Sequence, residues 1–362
     1  MDNKDFIIEA DVLVEYTGTS SNVVVPNGIA SIEYQAFFGN KNVQNIVLPN
    51  TLTCIELEAF KGCTGLESIT IPDSVEIIEF AAFDGCINLK NVNIPEGIKN
   101  IEYAMFRDCK SLKNINIPST VTNIDKHAFY GCENLETINI SNNIASIGIH
   151  AFDKCKGLAD QNGFIVVNDL LLGYVGNSKN LTVPNNVKTI SGEVFKNFKE
   201  LESVTIPNGV EVIENNAFEN CENLKYVNLP NSIKHIGFHV FYGCKALADT
   251  EGHVIINNVL YDYISDDYNV IIPDNVTKIS NDAFYGYGFI KNVILPKSVK
   301  AIGKYAFLGC AKLEKIFIPK SVSVIEDKAF DGCDNLTIYA PSESFAEQYA
   351  KENNIKFTVK EK

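Results

Sequence analysis

Cysteines, histidines and carboxylates are the side chains of this sequence with chemistry to offer, and they recur in step. Nine of the ten cysteines lie 23 residues apart within three runs: Cys63, Cys86, Cys109, Cys132 and Cys155; Cys221 and Cys244; Cys310 and Cys333. Thiols can ligate zinc or close disulfides. Zinc sites favour paired ligands close in sequence, and no C-x-x-C occurs. Stacked neighbours would bring Cα atoms to about 4.8 Å, inside disulfide range, but parallel side chains would have to turn toward each other. The expectation is a row of buried free thiols behaving as small hydrophobes, which suits a reducing compartment.

A second row is acidic: Glu33, Glu56, Glu79, Glu102 and Asp125, again 23 apart. Clustered carboxylates attract hard cations such as calcium. The favoured reading is that each acid complements free backbone N–H groups at the start of a turn. His127, His150 and His239 share one position of the repeat, too few ligands for a metal centre. The sequence shows no Ser/His/Asp spacing, phosphate-cradling glycine loop or H-E-x-x-H helix. No catalytic residue, metal or cofactor is expected.

These rows demand an element that repeats every 23 residues. Counting from the proline of each unit, coils begin at 26, 49, 72, 95, 118 and 141 (a serine), at 184, 207 and 230, and at 273, 296 and 319. Isoleucine fills position seven and phenylalanine position twelve in all twelve coils. A single such coil cannot bury its own apolar face, whereas stacked coils share a continuous core. The alternation in "LESITI" predicts a strand, which Pro72 ends because proline cannot donate to a ladder. "VEII" predicts a second short extended piece, and "EFAAFDGC" one helical turn closed by Gly85.

Three similar segments break the step: "DFIIEADVLVEYTGTSSNVVVP", "GFIVVNDLLLGYVGNSKNLTVP" and "GHVIINNVLYDYISDDYNVIIP". Each predicts a hairpin, turning at Glu9-Ala10, Asn168-Asp169 and Asn257-Asn258. The expected organisation is a hairpin cap over 1–25, six coils over 26–158, a hairpin insertion over 159–183, and three coils over 184–247. A second insertion over 248–272, three coils over 273–340 and a terminal cap over 341–362 complete it. In that cap Ser344 and Glu347 predict a capped helix, followed by a last strand.

The pattern L-x-x-I-x-I-P-x-x-V-x-x-I-x-x-x-A-F-x-G-C resembles the BspA-like leucine-rich repeats of bacterial and protozoan surface antigens, over about residues 6 to 345. Here proline stands where the common leucine-rich repeat has asparagine after the strand. The resemblance implies a right-handed β-rich solenoid with short helical or 3-10 turns. It implies a non-enzymatic adhesion role at the cell surface or after secretion, with a host extracellular or cell-surface protein as partner. The opening "MDNKDFIIEADVL" has no basic stretch followed by an apolar one, so no secretory signal is expected there, and a cytoplasmic location stays open.

A net charge of −14 without a basic stripe argues against nucleic acid as a partner, and no apolar run approaches the length of a membrane span. The outward strand positions, twenty and twenty-two, localise an interaction face. Early coils carry Ser68/Thr70, Asn91/Asn93, Asn114/Asn116 and Thr137/Asn139. Later ones carry Tyr226/Asn228, Asn292/Ile294 and Lys315/Phe317. Grouped apolar exposure marks contact surfaces, so Tyr226, Asn228, Ile294, Lys315 and Phe317 are the candidate binding residues. A spacer without its own ligand site is the competing reading and predicts a uniformly polar face. Oligomeric state is left open.

Overall fold

Stacking dictates the architecture. In a computed structural model, which describes residues 3–360, the chain is a β-solenoid with one α-helix, Phe345–Glu352. It divides between Gly176 and Asn177 into two compact units.

Each coil, save the two that run into an internal hairpin (141 and 230), contributes two short strands to two parallel ladders. Positions twenty to twenty-two form one ladder, as in Asn45–Val47 and Ser68–Thr70, where Ile46 lies opposite Ile69. Positions six and seven form the other, as in Ser31–Ile32 and Cys54–Ile55. Alternation sends Ile46 and Ile69 inward while Asn45 and Val47 face solvent. Outward asparagines and serines bond along the row, with the Ser68 hydroxyl donating to Asn45 Oδ1 at 3.0 Å.

Between the ladders runs the phenylalanine column. All twelve rings are buried, and within each uninterrupted run of coils they stack on their neighbours at 4.8–5.7 Å. The segment expected as a helical turn is instead a run of reverse turns. Position ten has a positive φ in every coil, from 52° at His239 to 63° at Glu193, and only Asn216, Asp282 and the histidines at 127, 150 and 239 there are residue types enriched in it. Position fourteen is left-handed too, as at Gly85 with φ 73°. Two left-handed residues four apart prevent a helix and return the chain sharply toward the next strand. Three-residue 3-10 turns occur at Lys156–Leu158 and Lys245–Leu247, just before a hairpin.

The first hairpin, Phe6–Glu9 with Val12–Tyr16, turns at Ala10-Asp11, one residue later than the sequence reading placed it. Ala10, like Asn168 and Asn257, takes the left-handed turn conformation. The other two hairpins turn at Asn168-Asp169 and Asn257-Asn258. These hairpins join the stack rather than stand outside it. Leu13 pairs with Ile32 and Leu260 with Ile279, while the rings of Tyr16 and Tyr263 extend the phenylalanine column at 5.1 and 5.6 Å.

Ser344 caps the terminal helix by accepting from Glu347 N–H at 3.3 Å. The Glu347 carboxylate returns the contact to Glu343 N–H at 2.8 Å, one residue before the usual partner of a capping box. The strand Lys356–Val359 then closes the second unit's ladder against Thr337–Ala340.

In the first unit both ladders stop at the same place, between coils 72 and 95. The outer strand of coil 72 ends at Val92. Just beyond it the Asn93 side-chain amide pairs with both backbone groups of Ile71 in the preceding coil at 2.8 Å, standing in for a main chain. Across this seam run the stacked rings of Phe83 and Phe106 at 5.5 Å and a bidentate ion pair from Arg107 to Asp84, both bonds 2.9 Å.

Candidate functional site

The reactive rows resolve into structure first. All ten cysteines are free and nine are buried. Each of those nine thiols donates to the position-twelve phenylalanine carbonyl of the preceding coil, from 2.9 Å for Cys63 to 3.2 Å for Cys109. Cysteine is therefore more than a small hydrophobe here: it satisfies a second lone pair on a buried carbonyl. The coils that open each cassette follow a hairpin and carry Asn40, Phe198 and Tyr287 at this position instead. Burial pushes the Cys63 and Cys155 thiols up to about 12, which leaves them inert.

Coil 273 shows the compensation in detail. An ordinary position-fourteen N–H donates to a carbonyl of the next coil, as from Gly39 to Lys61 at 2.8 Å. Gly243 precedes a hairpin and finds instead the carboxylate of Asp262 at 2.9 Å. The Tyr287 hydroxyl and the Tyr263 N–H complete the cluster, both at 2.9 Å. Asp262 is 1% exposed, and burial pushes its carboxyl up to about 6.

The acidic row complements backbone N–H groups at Glu79 and at Asp125, which accepts from Lys126 N–H, whereas Glu56 accepts from the Ser31 hydroxyl. Glu79 accepts from Leu57 N–H and Glu214 from Gly192 N–H, both at 2.9 Å, so each serves the coil before its own. His127 and His150 stack at 5.4 Å, and His150 Nδ1 lies 2.8 Å from Asp153. Asp249, Glu251 and His253 bring three potential metal ligands together. Their geometry is that of a turn cap: Asp249 Oδ1 accepts from the N–H groups of Glu251 and His253, as Asp160 does from Asn162 and Phe164. The His253 ring tilts on Tyr263 at 5.3 Å as Phe164 does on Tyr174 at 5.1 Å, so it fills a phenylalanine slot.

The outer face of the second unit's terminal ladder is different. Position twenty-two places Ile271, Ile294, Phe317 and Tyr339 on consecutive strands as register partners. Ile271 is 66% exposed and Ile294 42%, while Phe317 and Tyr339 are half-buried against each other at 5.0 Å. Lys360 Nζ sits 4.3 Å over the Phe317 ring. Beside this row opens a cleft of about 790 Å³ lined by Ile294, Phe317, Tyr339 and the prolines at 296, 319 and 341. Lys297, Lys320 and Lys360 border it, with Asp274 as the one acid.

Of the five residues expected at the interaction face, the structure brings Ile294 and Phe317 together and sets Lys315 on the neighbouring row, opposite Asn292. Tyr226, 57% exposed, and Asn228 belong to a different ladder, that of Asn180–Thr182, Ser203–Thr205 and Tyr226–Asn228. Asn228 turns its amide back toward the Ile206 carbonyl at 3.4 Å. Ile271 and Tyr339 escaped the count by position, the first because it lies in a hairpin module. The second lies in a coil one residue short, so that Thr337 rather than residue 338 faces Lys315. Lys297 and Lys320 were readable: position two is Asn, Asp, Glu or Ser in the other ten coils. A second exposed row, Tyr34, Phe80 and Tyr103 at position nine of the first unit, interleaves with the acids.

Two ladders of short parallel strands, an inward isoleucine and phenylalanine in each 23-residue coil and an exposed strand face define a leucine-rich-repeat solenoid. The chain belongs to the family described as the BspA type leucine rich repeat region, whose model matches residues 13–74, 30–159, 172–265 and 254–350. Among solved structures it is similar to a leucine rich cell surface protein from Faecalibacterium prausnitzii, at 25% identity over 95% of this chain and 94% of that one, TM-score 0.42. It is similar to leucine-rich repeat proteins from Eubacterium ventriosum (25% identity, 89% and 88% covered, TM-score 0.41) and Bacteroides ovatus (22% identity, 99% and 100% covered, TM-score 0.37). At these scores the likenesses add nothing to the family assignment. No curated protein matches the sequence. No described helix is long and apolar enough to cross a membrane.

Proposed function

We propose that the protein is a non-catalytic binding protein that docks a protein partner on the terminal ladder of its second unit. The observation that carries this reading is the outward apolar row Ile271–Ile294–Phe317–Tyr339, exposed at its two isoleucines and half-buried at its two rings, beside a cleft. Contiguous apolar surface gains free energy when covered, at about 25 cal/mol per Å² before association costs. Aromatics at the centre of such patches are the usual hot spots. A spacer has no use for such a row, and a uniformly polar face would have favoured it. Adhesion at a surface, the role the family resemblance suggests, is one setting for this docking.

The test is comparative capture from a panel of purified extracellular-matrix and cell-surface proteins. Wild type is set beside an Ile294→Ser/Phe317→Ser variant and an Asn93→Ala/Asn116→Ala control on the polar face of the first unit. A species held by wild type and control but reduced at least tenfold on the patch variant supports the reading. Equal capture by all three, or capture by none, moves the function to another face or to a spacer.

A further inference from the structure

The chemistry of the cleft's rim points to what fills it. The chain carries a net charge of −14, yet three lysines and a single aspartate border this cleft. Two of those lysines, Lys297 and Lys320, occupy a repeat position that no other coil gives to a base. They begin the coils whose strands bear Phe317 and Tyr339, and each follows the preceding rung, Ile294 or Phe317, by three residues. Basic rim and apolar row thus coincide at these two rungs, in a chain whose other coils carry a polar or acidic residue at that position.

Spacing selects the shape of the occupant. The row advances one rung per coil, and its last two rings lie 5.0 Å apart. An α-helix laid along the row presents one residue per turn at about 5.4 Å. An extended strand laid the same way presents same-face residues every ~6.8 Å. Over the two steps from Ile294 to Tyr339 the helix drifts by about 1 Å and the strand by more than ~3 Å. An amphipathic helix offering its i, i+4 and i+7 side chains matches three rungs.

We propose that the cleft takes one amphipathic helix of a partner protein, its apolar stripe on Ile294, Phe317 and Tyr339 and its flanking carboxylates on Lys297, Lys320 and Lys360. This rests on the docking reading above and adds the partner's charge and conformation to it.

The probes are three 15-residue peptides, since short free helices are marginal in water. One is a lactam-stapled helix with leucines at i, i+4 and i+7 and glutamates on one flank. The second replaces those glutamates with lysines. The third has the first peptide's composition in strict alternation, unstapled. Binding to full-length protein is read by fluorescence anisotropy at low and high salt, beside vesicles of one-quarter phosphatidylglycerol in phosphatidylcholine. The acidic helix should bind at least tenfold tighter than the basic one. That preference should shrink with salt, because the lysines are exposed, and should invert in a folded Lys297→Glu/Lys320→Glu variant. Phe317→Ser should weaken the acidic helix. Equal affinity for both helices overturns the acidic partner but spares the docking face if Phe317→Ser still weakens them. Tighter binding of the alternating peptide overturns the helix in favour of a strand. Binding to vesicles with none to the peptides overturns it in favour of an anionic lipid surface. Independence from Phe317 here and in the capture experiment removes both readings.

Discussion

Replacing Asp262 with asparagine tests how the stack is mended where a hairpin enters it. The folded carboxyl is pushed up to about 6 by burial, which the N–H groups of Gly243 and Tyr263 and the Tyr287 hydroxyl only partly offset. An unfolded aspartate titrates near about 3.9. Between these values the folded chain holds a proton that the unfolded chain has released. Stability from this group is therefore complete below about pH 4, falls as pH rises toward about 6, and is flat above that. The separation corresponds to about 3 kcal/mol. Two neighbours titrate in the same window. Asp282, also pushed up to about 6 by burial, slopes the same way, and His239, held down by burial, slopes the other way. Subtracting the wild-type curve from that of Asp262→Asn removes both. The measurement is urea unfolding followed by far-UV circular dichroism between about pH 4 and about pH 7.5, with unchanged m-value as the check on cooperativity. Relative to wild type, the variant should gain about 3 kcal/mol across that range. A flat difference refutes the raised carboxyl. A falling one shows that the three donors hold Asp262 as an anion, with burial the lesser effect.

Other perturbations probe the repeat itself. Phe83, fully buried and stacked on both sides at 5.3 and 5.5 Å, should cost about 3–5 kcal/mol when cut to alanine; denaturation showing a loss below about 1 kcal/mol would put the column's role in doubt. Thiol titration should find few reactive cysteines in the folded protein and close to all ten after unfolding without reductant; thiols that stay silent once unfolded would mean an oxidised row. Lys328, exposed with φ 55°, should stabilise by about 0.5–1 kcal/mol when changed to glycine. A midpoint that moves down in urea would show that its side chain contributes more than its backbone strain costs.

Periodicity made the architecture legible. Position seven and position twelve announce the core because burial at a fixed place in each coil leaves isoleucine and phenylalanine little room to vary. The turns were harder. "EFAAFDGC" has helix-forming composition, and nothing in Glu58 or Ala81 signals the left-handed backbone that the stack imposes on them. The thiol bonds were also hidden, since the Cys109 partner is a main-chain carbonyl 26 residues away. At the candidate site, Ile294 and Phe317 follow directly from alternation along a strand. Tyr339 does not, because a one-residue shortening after Leu336 moves it out of count. Tyr226 shares the chemistry of the row but sits on another ladder, a separation that only pairing reveals.

The seam between coils 72 and 95 has a mechanical consequence. Along most of the first unit a coil is fastened to the next on three sides, by two strand ladders and by its turn. Here both ladders stop, and the backbone fastening that remains is Ala81, Phe83 and Gly85 N–H donating to Tyr103, Met105 and Arg107 carbonyls and Ser111 N–H donating to the Ile87 carbonyl, with the Arg107–Asp84 clamp and the shared apolar core beside them. A stack hydrogen-bonded mainly along one edge, and held elsewhere by non-directional apolar packing, is expected to bend about that edge. Bending load on the first unit concentrates at this joint, and the Arg107–Asp84 pair, lying on that edge, stays loaded least while the strand sides gape or close.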